Sequence, residues 1–418
     1  MMPLPDPKRI VLLTPGHVST NPRLVKEADA LAESGYQVSV VAANFIDWAN
    51  EADRSFGSRP WHVAETLSFG PAAPLPRHAF QYLRRRLAGA LVKAGLRHDA
   101  IIRAAWHPIA PDLVAAAIRQ KADLYIAHYP AALPAAAIAA RHYGTHYAFD
   151  AEDFHPGDWP DDPAYEAERQ MLRAIEERYL PGCAFVTAAS TGIADAYAAD
   201  YKISRPEVVL NVFPRAQAPS ASTPAGTATP GPSIYWISQR IGPDRGLECL
   251  VRAISRTQSR PHLYLRGTPT AGFPEQLMTI AAEGGVADRL HMLPPAIPSE
   301  MERLAAVYDV GFSGEPGHTA NNRIALGNKL FSYLLAGVPI VMSDVPAHRG
   351  LAPEIEGAAF LYPADYPSVL AATLDTLLCD PEKLAAARAS AFRLGQARFN
   401  WDVEKESLLS LVSKAVGA

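Results

Sequence analysis

The sequence predicts an α/β protein made of two doubly wound parallel-sheet lobes that face each other across a cleft. Three observations predict it. Short apolar strands alternate with helical segments over the first two hundred or so residues, the βαβ rhythm that implies parallel pairing. The stretch at 216–233, AQAPSASTPAGTATPGPS, then breaks that rhythm with a composition that cannot bury a core. Beyond it the alternation begins again. The expected organisation is a first Rossmann-like lobe at 1–215, a linker at 216–233, a second Rossmann-like lobe at 234–395 and a terminal helix at 396–418.

Arg9-Ile10-Val11-Leu12-Leu13 reads as the first strand, followed by the turn Thr14-Pro15-Gly16-His17. A helix follows from about Pro22, with Leu24, Ala28 and Leu31 on one face. Gly35 ends it, and Gln37 to Val41 is the next strand. Asp123 to Ala127 and His146 to Phe149 are strands on either side of an alanine-rich helix from Ala131 to Arg141. A long helix runs from about Tyr165 to Leu180, and Ala184 to Ala188 and Glu207 to Leu210 are strands flanking a helix around Ile193 to Tyr201. In the second half, Ile234 to Ile237, His262 to Leu265, Val310 to Ser313 and Pro339 to Met342 are strands with helices between them, the first of these helices at Leu247 to Thr257. Pro381 to Val416 is helical with a break near Phe399-Asn400-Trp401.

Composition narrows the function classes. Of 418 residues, 49% are hydrophobic and 20% charged, enough for a large core. The 37 prolines predict many loops and sharp element boundaries. A net charge of −4 leaves no electrostatic footprint for a dedicated nucleic-acid binder. Cys183, Cys249 and Cys379 stand too far apart for a disulfide framework or a zinc knuckle and fit a reducing compartment. No apolar run reaches the roughly 18 residues of a membrane span, and the prolines and charges of Met1 to Arg9 do not read as a signal peptide. The expectation is a soluble, cytoplasmic protein.

Three motifs carry chemistry. Gln239-Arg240-Ile241-Gly242-Pro243-Asp244-Arg245-Gly246 lies between the first strand and first helix of the second half. Two arginines in a turn at a helix N-terminus make an anion site, because guanidinium groups pair with phosphate oxygens and free helix amides add a favourable dipole. The plain alternative is a solvated basic loop. Gly327-Asn328-Lys329 fits the start of a helix with Asn as its cap. Lys329 is a further cation there, and Gly337 closes the helix before Pro339. This is equally a core helix, since Leu330, Leu334 and Leu335 are core-like. Gly16, in the first βα turn, would let a phosphate approach the backbone, although a tight turn without a ligand reads the same way and the dinucleotide fingerprint G-x-G-x-x-G is absent.

Over nearly its whole length, from Ser19-Thr20-Asn21-Pro22-Arg23 to Phe399-Asn400-Trp401, the chain resembles the retaining glycosyltransferases of family four, which have the two-lobed GT-B fold. The resemblance implies that Arg240 and Arg245 hold a donor diphosphate. It matches the Asn328 to Pro339 segment to the family's Asn-Lys-x-Phe-x-Tyr helix with its Ala-Gly-x-Pro end. It departs from the family in lacking the pair of glutamates that contact donor ribose and sugar: the second falls at Ser332, and Glu315 is the nearest acid to the first. His128, in Ala127-His128-Tyr129-Pro130, matches the family's active-site histidine, which faces the transferred sugar. Glu152 stands where many relatives have histidine. With Asp150, Asp153 and His155 it forms a cluster just past a strand, where α/β proteins place ligands and where an acceptor hydroxyl could be oriented or deprotonated. An acid and histidine cluster also suggests a metal, but the spacing is no recognised site, and the implied fold works without a metal or any other cofactor. The implied activity is transfer of a sugar from a nucleoside-diphosphate sugar to a glycan, lipid-linked or small-molecule acceptor with retention. A sugar-nucleotide 2-epimerase and an inactive nucleotide-sugar-binding paralogue are the alternatives.

Arg77 to Arg103 also holds Arg84, Arg85, Arg86, Lys93 and Arg97 against one acid, Asp99, with Phe80, Leu83, Leu87 and Leu91 at helical spacing. It reads as one basic amphipathic helix, either a solvated face or a peripheral contact with an anionic membrane or acceptor.

Overall fold

The computed structural model describes residues 7–220 and 229–417, so the centre of the expected linker, 221–228, lies outside the described residues, as do residues 1–6 of the N-terminal reading. The chain divides into two compact units: Met1–Ala189, Ile193–Val209 and Lys405–Ala418 form one, and Ser190–Gly192 and Leu210–Glu404 the other.

The first unit is built on a parallel sheet of β1 (Arg9–Leu13), β2 (Gln37–Asn44), β3 (His62–Ser68), β4 (Leu124–His128), β5 (His146–Ala151), β6 (Val186–Ala188) and β7 (Glu207–Val208). Their order is β3-β2-β1-β4-β5-β6-β7, so the winding reverses between β1 and β4. The central strands bury nearly every residue, as strands covered on both faces must. The helix Leu133–Tyr143 has alanines at 135, 136, 137, 139 and 140, all buried. Small side chains let it lie close to the sheet, and Gly144 in the left-handed region (φ 66) ends it.

The second unit has β8 (Ser233–Ile241), β9 (His262–Pro269), β10 (Leu290–Leu293), β11 (Val310–Ser313), β12 (Ile340–Ser343) and β13 (Ala359–Tyr362), ordered β10-β9-β8-β11-β12-β13 and parallel throughout. Its core joins Ile234, Trp236, Leu263, Leu265, Val310 and Val341 of the sheet to Leu250, Leu277 and Leu374 of the flanking helices. The winding reverses between β8 and β11, the point at which α/β sheets open a crevice for a ligand.

β3, β10 and β13, absent from the sequence reading, are all sheet edges. They bury few side chains and so lack the apolar run that marks a central strand. The basic segment is two helices, Leu75–Lys93 and Asp99–Trp106, not one. Gly95, at φ 90, turns the chain between them. The C-terminal helices Pro381–Ala397 and Trp401–Val416 are separated where Asn400 Nδ2 donates to the carbonyls of Gly395 and Gln396, each at 3.0 Å. Lys405 of the last helix lies 3.7 Å from Glu33 in the first unit.

Candidate functional site

In the second unit, the loop after β8 and the loop after β11 are tied together at the reversal of the sheet. Gly246 adopts φ 68 and lies so close to the carbonyl of Gly314 that a Cβ would collide with it. Asp244 and His318 pair at 2.9 Å across the same two loops. Glu315 follows, 5% exposed. One of its carboxylate oxygens is bound by Lys329 Nζ, and the other lies 3.6 Å from Arg245 Nη1. Its main-chain carbonyl accepts from Ser343 Oγ at 2.7 Å, so β12 fixes the loop from beneath. Burial works against ionisation of Glu315, yet Lys329 and Arg245 hold its carboxyl below the usual range. Lys329 also sits 5.8 Å over the ring of Trp236.

The structure therefore brings Arg245, Glu315 and Lys329 into one cluster. Arg240 stands exposed near the end of β8, beside Thr268 of β9. Asn328 is not the cap of its helix. Gly327 is the N-cap, with extended dihedrals and no side-chain bond to the first turn, and Asn328 is the first helical residue. Gly337, at φ 71, closes that helix as expected. Ser332 is 4% exposed and donates to Glu302 Oε1 at 2.8 Å, so its hydroxyl is engaged with the helix Met301–Ala305. Glu302, Trp236 and Ser343 were not picked out from the sequence, where nothing distinguishes them from ordinary core and loop residues.

In the first unit, the register of β4 and β5 sets His128 beside Asp150. Arg23, fully buried on the helix Pro22–Glu33, grips Asp150 with two bonds of 2.7 Å and donates to the carbonyl of Val209 at 2.6 Å. Thr187 Oγ1 donates to the same carboxylate at 2.6 Å. His128 is 1% exposed, and its two ring nitrogens lie 3.3 Å from Asp150 and 3.3 Å from Glu27. Burial disfavours its charge, but the two carboxylates outweigh burial and lift the imidazole to about 10, so it is an imidazolium at neutral pH. Burial also opposes ionisation of Asp150, whose carboxyl Arg23 and His128 nonetheless drive below the usual range. Glu27, His128 and Asp150 bring ligand atoms within 4.8 Å of one another, a spacing a metal could use, but Arg23 and the imidazolium already supply the positive charge there.

Beyond β5, Glu152 and Asp153 are half-buried. Burial and the neighbouring Asp153 push Glu152 up to about 7. His155 pairs with Asp158 at 3.2 Å and lies against the ring of Tyr129, their centroids 5.8 Å apart. Tyr129 follows His128 directly and holds φ 67, a strained conformation for a non-glycine residue at a strand end. In the first βα turn, a Cβ on Gly16 would make only van der Waals contacts with Phe45 and Thr20. The adjoining His17 is a strut: Nε2 accepts from the amides of Phe45 and Ile46, each at 3.0 Å, and Nδ1 donates to Asp53 at 2.7 Å.

A family model for the glycosyl transferase 4-like domain matches residues 20–212. A D-inositol 3-phosphate glycosyltransferase of Mycobacteroides abscessus is 29% identical over 35% of this chain and 36% of its own length. Its counterpart from Thermobispora bispora is 28% identical over 51% of this chain and 50% of its own. This chain thus spans about half or less of these two curated relatives. Among solved structures, Anabaena Alr3699/HepE in complex with UDP and glucose has a TM-score of 0.69 at 15% identity, covering 97% of this chain and 100% of its own. A Rickettsia africae glycosyltransferase has a TM-score of 0.69 at 13% identity, covering 98% and 99%. The segment 20–212 thus carries a glycosyl transferase 4-like domain.

These relatives support a glycosyltransferase and lend no support to the epimerase or inactive-paralogue alternatives. The likeness to the solved structures establishes the GT-B fold. The contact of Gly246 with Gly314 gives a direct expectation. Gly246→Ala puts an L side chain at φ 68 and a methyl group against a carbonyl, so the second unit should lose about 2 kcal/mol or more. Calorimetric melting reads this, and Gly350→Ala, whose Cβ would meet nothing within 4 Å, is the neutral control.

Proposed function

We propose that this protein transfers a hexose, with retention, from a nucleoside-diphosphate sugar to a glycan, lipid-linked or small-molecule acceptor, without a cofactor, on the cytoplasmic side of the cell. The observation that carries the reading is the Arg245–Glu315–Lys329 cluster at the reversal of the second sheet, between the starts of the helices Leu247–Ile254 and Asn328–Ala336. As the glycosidic bond breaks, negative charge builds on the departing diphosphate. Fixed cations and unbonded first-turn amides stabilise that charge most in the transition state, which is the condition for accelerating the step. Glu315, kept ionised between two cations, accepts hydrogen bonds from hydroxyl groups of the donor. The HepE structure with UDP and glucose supports a nucleotide-sugar donor.

On the acceptor side, Glu152 and Asp153 orient the incoming hydroxyl. His128 is already protonated and takes no proton at neutral pH. It fixes the strand end that positions Tyr129 and, through Asp150, the loop carrying Glu152. The acceptor proton then passes to an oxygen of the leaving phosphate, on the face from which that phosphate departs, and the anomeric configuration is kept. Calorimetric titration with UDP and UDP-glucose, followed by product analysis by NMR, tests the proposal. Binding of the diphosphate and an unchanged anomeric configuration are expected. Absence of binding to any nucleoside diphosphate, or an inverted product, would overturn it.

A further inference from the structure

The helix Leu75–Lys93 buries only Gln81 and Ala88. That inner side is fastened to the first unit: Gln81 donates to Asp112 at 3.0 Å, Arg84 pairs with the same carboxylate at 3.1 Å and reaches the carbonyl of Pro108 at 2.7 Å. The outer side carries Phe80, Leu83, Leu87 and Leu91, exposed by 60, 55, 58 and 41%. Their spacing of three to four residues aligns them on one face of the helix. Leu75 and Leu96, also exposed, extend the apolar strip past both ends. Large apolar side chains scattered singly over a surface need no explanation, but a contiguous strip does.

The charge around the strip says what covers it. Arg77, Arg86, Lys93 and Arg97 are exposed, and no Asp or Glu occurs between Leu75 and His98 in a chain whose net charge is −4. An apolar strip rimmed by cations suits the boundary between headgroups and acyl chains of an anionic bilayer. A second copy of this chain would set the same cations against one another, and a soluble polyanion would leave the leucines in water. We propose that the helix Leu75–Lys93 seats the protein on an anionic lipid surface, with Phe80, Leu83, Leu87 and Leu91 among the outer acyl chains and Arg77, Arg86 and Lys93 at the phosphates. The membrane-facing role left open by the sequence is thereby narrowed. Arg84 is turned inward and Arg103 is paired with Asp99, so neither serves it. This inference does not depend on the donor chemistry.

The test is co-sedimentation of the full chain with vesicles of phosphatidylcholine alone or mixed with phosphatidylglycerol. Binding to the mixed vesicles, weakening as salt is added, is expected. Leu83→Ser with Leu87→Ser, and separately Arg77→Glu with Arg86→Glu, should each lower partitioning by about tenfold or more without lowering the melting temperature. Failure of the wild-type chain to bind mixed vesicles, equal binding by wild type and both variants, or a wild-type dimer that either variant converts to monomer would overturn the inference. Calorimetry with UDP reads the donor site separately, so loss of one result leaves the other standing.

Discussion

Asp150→Ala should destabilise the first unit more than any other single substitution named here. The aspartate accepts two bonds from Arg23 and one from Thr187, and it faces the imidazolium of His128. Its removal leaves a fully buried guanidinium and imidazolium to share the carboxylate of Glu27. Breaking a buried ion pair from one side typically costs about 3–5 kcal/mol, because the remaining charge is stranded without solvent. That corresponds to roughly 10 °C in the melting of a unit of this size. A melting temperature within a degree or two of wild type would show that Arg23 and His128 do not depend on this carboxylate.

The same network fixes a pH dependence. The folded pKa of His128 lies at about 10, above the ordinary value of 6.5, so its stabilising contribution is complete below about pH 6.5 and is lost as pH rises toward 10. Glu152 acts in the same direction. Its folded pKa of about 7 exceeds the ordinary 4.5, so stability falls as pH climbs between these values. Asp150 has the opposite sign: its carboxyl is depressed, and its contribution is lost only in acid. Melting followed from pH 7 to pH 10 should decline, and His128→Gln should flatten that decline.

The central strands of both sheets were legible because burial on two faces demands continuous apolar runs, as in Ile10 to Leu13 and Leu124 to Ala127. The edges β3, β10 and β13 were not, since a strand covered on fewer sides does not need that pattern. The site divides in the same way. Arg245 and Lys329 stand beside turn and helix-start signals that sequence alone displays. Glu315 as their shared partner depends on where the loop after β11 returns, which no local pattern encodes. Glu27 and Arg23 are harder still. On a helix read from Leu24, Ala28 and Leu31 they look like an ordinary surface i,i+4 pair, and only the fold reveals both as fully buried beneath His128.

Lys329→Met combined with Arg245→Gln should lower affinity for a nucleoside diphosphate by at least one order of magnitude and turnover by about 10²–10³-fold. Groups that meet charge developing on a leaving diphosphate contribute on that scale. The split between ground state and transition state is the informative part. Glu315 already neutralises one of these cations in the unliganded protein, so part of their attraction is spent internally before the donor arrives. As charge grows on the phosphate, the cluster shifts toward it, and the turnover loss exceeds the affinity loss. Glu315→Gln separates the contributions. With both cations released from their carboxylate, inorganic diphosphate should bind more tightly than to wild type. The sugar nucleotide should gain less, or lose, because the acceptor of its hydroxyl hydrogen bonds has lost its charge. Lys329→Arg, which keeps the charge, should recover diphosphate affinity. If Glu315→Gln leaves diphosphate affinity unchanged, the carboxylate does not compete with phosphate for Lys329 and Arg245, and the cluster is a structural tie between the two loops.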